Sequence, residues 1–412
     1  MMTRALKKKF QHAHPYSSPD SPSKRQTNSK QALILFLMSS YRPNSLASWE
    51  RGPSASVGER ELIKRIMAAV TWRARKRCFE VLQQRSLRLI QTNASLKCSG
   101  DLKCSHLRKR GLLKVRGRDS VKFLQGLITN NVESFHKNVE RKAMYGVFLN
   151  ANGRTLYDTV LYKHDRSGDV PAFFLECDVS VIPDLTKHLK MFKLRSKVDI
   201  IHAEDYAPWV IFSMSGTIDF KDVSSNSDIK VLVKDPRVEQ LGFRAVLPKG
   251  LSPCVCLEDV YETGDSFEYD VLRAKLGICE GVDEIPPGNA MPLEYNIAYL
   301  NGVSFNKGCY LGQELTARTH HTGVIRKRTV PFKFIDPKAD ASHFESGARV
   351  RTSDGKAAGK VCMIYGQYGV GLLRLELIKK EEALLIKNKE DKDMEVIASL
   401  PHWWPEDGHS FV

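Results

Sequence analysis

The stretch NKGCYLGQELTARTHHTG, Asn306 to Gly323, sets a cysteine between a lysine and two glycines, with a His-His pair beginning eleven residues downstream. A reactive cysteine needs thiolate character and access, which nearby positive charge, a helix amino terminus and small neighbours supply. Lys307 stands two residues before Cys309, Gly308 and Gly312 let the backbone bend closely, and QELTARTHH is helix-compatible, so Cys309 is expected just ahead of a positive helix end. The base for a nucleophilic cysteine would be His320 or His321, but eleven helical residues set them on the order of 16 Å away unless the chain folds back. The plainer expectation is that the two histidines finish a helix closed by Gly323. An iron-sulfur cluster takes about four protein ligands, so Cys309 could serve one only within a site shared between two proteins. Spacing alone leaves a structural Gly-Cys turn open beside these readings.

Working outward, the body of the chain mixes strand and helix signals without the regular alternation of a doubly wound sheet. Near Cys104, GLLKVRGRDSVKFLQGLITNNV reads as a strand, a turn and a helix capped by Asp119. AMYGVFLNANGRTLYDTVLYKH reads as a hairpin turning on Asn150–Gly153. AFFLECD and KVDIIHA are further strands, SVIPDLTKHLKMFKL is an amphipathic helix, and VYETGDSFEYDVLRAKLGICEG a second helix. From Val330 onward short strands alternate with Gly-rich turns such as Asp354-Gly355, the pattern of a small β-barrel or sandwich. No GxGxxG or GxxxxGK[ST] appears, so nucleotide binding has no support.

The formal charge of +16 on 412 residues would point to a polyanionic partner if it were spread over the fold. It is not: residues 1–110 hold 23 Lys and Arg against 6 Asp and Glu, and residues 111–412 hold 40 against 41. A nucleic-acid partner is therefore excluded as the reading of this charge. Nine scattered cysteines, without a CxxC pair or a secretory signal, indicate free thiols in a reducing compartment. The Cys254-x-Cys256 pair, with no second pair to complete a zinc site, reads as core thiols.

Residues 1–66 are rich in Ser, Pro, Lys and Asn and are read as a disordered extension; their apolar run ALILFLM is too short to span a bilayer. Residues 67–103 change character: from Met67 the segment is Arg-rich, carries the single acid Glu80 as far as Lys97, and has one apolar and one basic side as a helix. That is the composition of a mitochondrial presequence, and translation from Met67 would put it at an amino terminus.

The motif KGCYLGQE, within NGVSFNKGCYLGQELTARTHHTGVIRKR, resembles the signature of the YgfZ group of the aminomethyltransferase-like superfamily, the fold of the glycine-cleavage T-protein, and most closely its mitochondrial branch. The resemblance extends from about Leu107 to Pro405 through FLQGLITNNV, FLNANGRTLYDTVLY, Asp235-Pro236-Arg237 and PHWWP. It implies an α+β fold with two interleaved modules around a central cavity over residues 104–329, followed by a carboxy-terminal β-barrel over 330–412. It further implies a mitochondrial matrix factor that works with A-type carrier proteins to mature [4Fe-4S] proteins such as aconitase and lipoyl synthase. In that role Cys309 would ligate a transient, shared iron-sulfur cluster, with Lys307, Gly308, Gly312, Gln313 and Glu314 completing the motif. The superfamily cavity binds tetrahydrofolate, and the T-protein places its catalytic aspartate in a pair of acids. Here Asp158 stands at the second acid and Tyr157 at the first, so the resemblance points away from aminomethyl transfer and toward a non-catalytic assembly factor. The alternative it leaves is a folate-dependent one-carbon transfer or demethylating enzyme using Asp158, with Glu294 and Asn296 of MPLEYN lining the cavity mouth. Trp403 and Trp404 are expected to plug a core edge.

Overall fold

A computed structural model describes residues 102–164, 170–215, 218, 228–257, 260–339, 341–345, 347–378 and 383–405. The extension 1–66 and the presequence-like segment as far as residue 101 lie outside the described residues. Among the described residues, no helix is long and apolar enough to cross a membrane.

The expected hairpin forms between strands Ala143–Leu149 and Thr155–Lys163, with Val147 opposite Asp158. Its turn closes through the Gly153 amide on the Asn150 carbonyl and needs the left-handed conformation of Gly153, at φ +74°. These strands form one edge of a five-stranded sheet continued by Ala172–Asp178, Arg110–Arg116 and Asp199–His202. A second five-stranded sheet orders Tyr261–Glu262, Lys103–His106, Tyr206–Phe212, Phe243–Pro248 and Val231–Lys234. Lys103–His106 precedes every strand of the first sheet, while its partner Tyr206–Phe212 follows them all. The two modules are thus interleaved along the chain, as the resemblance implies.

Both faces of Ala143–Leu149 and Ala172–Asp178 are buried, the first although it is an edge strand, which is why AMYGVFL and AFFLECD read as near-continuous apolar runs rather than alternating ones. A six-stranded closed barrel follows, from Lys327–Phe334 to Asp393–Ala398. Closure leaves no unpaired edge in this late β region. Trp404 is buried against the barrel core, and the Trp403 indole N–H donates to the Leu276 carbonyl at 2.8 Å, so PHWWP seals the barrel to the end of helix Phe267–Leu276.

Two local expectations are corrected. The helix Ser120–Gln125 does follow Asp119, but the Asp119 side chain makes no cap; its carboxylate accepts the Lys197 amide at 2.7 Å. The second predicted helix is confined to Phe267–Leu276, because Gly277 turns left-handed and ends it, and Tyr261–Glu262 pairs as an edge strand instead. Cys254 and Cys256 lie on one short helical turn, half-buried, and the Cys254 sulfur sits 3.2 Å from that of buried Cys104. They are packed thiols, as expected.

Candidate functional site

The loop leading to helix Gln313–Thr322 is fixed at several points. The Lys307 side chain turns inward and its Nζ donates to the carbonyls of Gln125 at 2.6 Å, Ile128 at 2.6 Å and Asn130 at 2.8 Å, where the helix Ser120–Gln125 ends. Its charge is thereby spent on carbonyls of the last helical residue and the loop after it, a correction to the expectation that it serves Cys309. Burial pulls Lys307 down to about 7 from its ordinary 10.5. The three carbonyls oppose that loss, because only the ammonium has three N–H bonds to give them.

Past the cysteine, the Leu311 amide donates to the Gly126 carbonyl, and the Gln313 side chain accepts the Tyr310 amide at 3.3 Å. Gly312 holds φ +76° with its α-carbon pressed on the hairpin turn; a Cβ there would come within 2.3 Å of the Asn150 carbonyl oxygen. Gly308 differs, since an added Cβ would meet open space. Close backbone approach therefore belongs to Gly312 alone of the two, and Gly308 contributes clearance beside the sulfur.

Cys309 itself is exposed, while the other described cysteines are buried or half-buried. The helix after it runs to Thr322 and carries both histidines in its last turn before Gly323. The segment ahead of Cys309 reaches the far end of this helix, where the Phe305 ring stacks on His320, centroids 3.6 Å apart and planes 8° from parallel. Glu314 is exposed and lies 3.7 Å from Arg318.

The folate-cavity candidates fall into two other places. Asp158 is buried, 3.1 Å from the Arg110 guanidinium, and accepts the Gly281 amide at 3.1 Å. It belongs to a lattice of buried charges joining the two sheets. Arg110 also pairs with Glu176; Arg244 contacts Glu176, Asp235 and Glu280; and Arg237 pairs with Asp235 and Glu280 at 2.8 Å each. Burial alone would raise Asp235 and Glu280, but the surrounding guanidiniums hold both below the usual carboxylate range. The cleft beside this lattice, bounded by Arg110, Asp178, Glu280 and Glu284, has a volume of about 30 Å³, the space of a water. As arranged, these residues form an internal ion lattice.

Glu294 and Asn296 face the barrel. The Asn296 amide donates to the Thr329 carbonyl at 2.7 Å and its oxygen accepts from Arg328 at 3.1 Å. Glu294 is half-buried, its carboxyl raised by burial, and its backbone carbonyl takes the Thr329 amide. Arg110, Glu176, Arg244 and Glu280 were missed by sequence reasoning. An acid at the centre of the apolar run AFFLECD was the available signal, because a charge inside a fully buried strand must find a partner.

Comparisons with known proteins fit this geometry. The family described as CAF17, C-terminal beta-barrel domain, matches residues 326–406. The chain is 40% identical over 311 residues to the human protein named iron-sulfur cluster assembly factor IBA57, mitochondrial, covering 73% of this chain and 85% of that one. It is 41% identical over 321 residues to the mouse protein of the same name, with the same coverage, and 34% identical over 315 residues to the Dictyostelium discoideum homolog, covering 69% and 75%. Among solved structures, the glycine cleavage system aminomethyltransferase T from Bartonella henselae superposes with a TM-score of 0.56 at 16% identity, covering 74% of this chain and 87% of that one. That likeness shows the fold alone.

Proposed function

Because the chain belongs to the family of IBA57 iron-sulfur cluster assembly factors, we propose that it assists iron-sulfur protein maturation in the mitochondrial matrix, with Cys309 supplying one thiolate to a cluster shared with an A-type carrier protein. The observation that carries this reading is an exposed sulfur on a loop held on both sides, by Lys307 before it and by Leu311 and Gly312 after it. A ligand that waits for a partner has to face solvent and has to keep its position without the metal.

Among the described residues, no group of three or more His, Cys, Asp or Glu side chains is arranged to hold a metal. A cluster takes about four protein ligands, so the partner supplies the rest and the cluster is cargo between the two proteins. Clearance at Gly308 leaves room for the partner's approach. The step assisted is formation of [4Fe-4S] clusters.

Anaerobic mixing with a cluster-loaded A-type carrier tests the reading. The wild-type chain should give a complex whose visible absorption differs from that of the carrier alone. Cys309→Ser should abolish that difference while melting at the same temperature; an identical spectrum in the mutant complex would rule out ligation by Cys309.

A further inference from the structure

A groove runs between helix Ser120–Gln125 with its Gly126–Leu127 exit and the carboxy-terminal end of helix Ile182–Lys193. Phe123, Leu127, Phe192 and Leu194 form its apolar lining, Lys122 and Arg195 stand on its rim, and its volume is about 770 Å³. That is the size of a site for a sizeable inserted group.

Leu194 is 87% exposed and sits at φ +44°, a left-handed conformation in which a leucine is strained. Neighbouring Met191 is 62% exposed. Two bulky apolar side chains standing in water, one on strained backbone, bring no gain to the isolated fold. From Lys187 to Lys197 the chain carries Lys187, Lys190, Lys193, Arg195 and Lys197 with no acid among them. The carboxylate of Asp119, also in the lining, is engaged by the Lys197 amide.

The groove adjoins the Cys309 loop. Gly126, in its lining, accepts the Leu311 amide, and the Lys307 ammonium bonds the Gln125 carbonyl beside it. We propose that this groove receives an acidic segment, tipped by a bulky apolar side chain, of the protein that brings the cluster to Cys309. Charge complementarity selects an acidic occupant, and hydrogen-bonded continuity with the loop selects the protein that meets Cys309. A flat bilayer would not fill a concave site. The proposal rests on the reading of Cys309 as a shared ligand.

The test uses the full chain and the cluster-free A-type carrier as probe, with affinity read by calorimetry. Leu194→Asp and Arg195→Glu, both at exposed positions, should each weaken binding at least tenfold without lowering the melting temperature. Leu194→Gly should weaken binding yet raise the melting temperature, because it relieves the strained backbone; a merely structural leucine would not separate the two. Cys309→Ser should bind the cluster-free carrier within threefold of wild type. Failure of Cys309→Ser to alter the cluster spectrum, with the groove variants still weakened, would remove the ligand reading and leave the groove. Groove variants that bind within twofold of wild type would overturn the groove. So would binding to phosphatidylserine vesicles that Leu194→Asp abolishes while carrier affinity stays intact.

Discussion

The Lys307 Nζ lies 2.6 Å from the Ile128 carbonyl oxygen, closing a cage that the carbonyls of Gln125 and Asn130 complete. One side chain thereby satisfies the last helical carbonyl and two of the loop after it, and pins the residue two before Cys309. Removing it leaves carbonyls without donors, each costing about 1–3 kcal/mol when buried. Lys307→Met should therefore destabilise the chain by ~3 kcal/mol in denaturant unfolding. Lys307→Arg should recover less than half, because a planar guanidinium fork cannot direct three donors into so small a cage. A Lys307→Met midpoint equal to wild type would show that water replaces the amine without loss.

Gly308 and Gly312 separate the two jobs that glycine does around Cys309. Gly312→Ala combines left-handed strain with a Cβ 2.3 Å from the Asn150 carbonyl oxygen, so the loop must lift off the hairpin turn. We expect a loss of at least ~2 kcal/mol, compared with about 0.5 kcal/mol or less for Gly308→Ala, which meets nothing. Thermal melts of the two variants decide it; equal losses would mean that the close approach at Gly312 does not hold the loop.

The buried lattice predicts acid sensitivity. The folded-state values of Asp235 and Glu280 lie below their ordinary 3.8 and 4.5, so on acidification the unfolded chain takes up protons first. Their contribution is fully present above the ordinary values and declines as pH falls below them toward the depressed ones. Glu280→Gln leaves Arg237 and Arg244 short of a counter-charge and should cost about 3–5 kcal/mol at pH 7. It should also flatten the fall in stability between about pH 4.5 and 2.5. Denaturant unfolding across that range measures both, and an unchanged slope in the variant would assign the acid loss elsewhere.

What could be read from the sequence divides along a physical line. The hairpin at Asn150–Gly153 was legible because turn chemistry is local, and the barrel because its strands are short and punctuated by glycine. The interleaving was reached through resemblance: nothing near Lys103–His106 says that its partner strand begins at Tyr206. Cys309 was singled out by its neighbours, yet Lys307 was given the wrong duty, because adjacency in sequence does not say which way a long side chain turns. Asp158 stood out only through the resemblance, as the second acid of the T-protein pair; its partners Arg110 and Gly281 are far from it along the chain, and such pairing is a property of the assembled sheets.

The stack of Phe305 on His320 supplies the last prediction, a titration. Burial first, and then the charge of neighbouring His321, pull His320 below its ordinary 6.5. An imidazole covered on one face by a phenyl ring loses hydration that the imidazolium needs more than the neutral ring does. Folding therefore favours neutral His320, and its contribution to stability weakens as pH falls through 6.5 toward the lower folded value. In an NMR titration the His320 midpoint should lie below 6.5 and below that of His320 in the Phe305→Ala variant. His321→Ala should raise the His320 midpoint by less than Phe305→Ala does, because burial is the larger cause. A wild-type midpoint at or above 6.5 would mean that the ring does not cover His320 in solution, and that the segment from Phe305 to Cys309 is not held against the helix end by this contact.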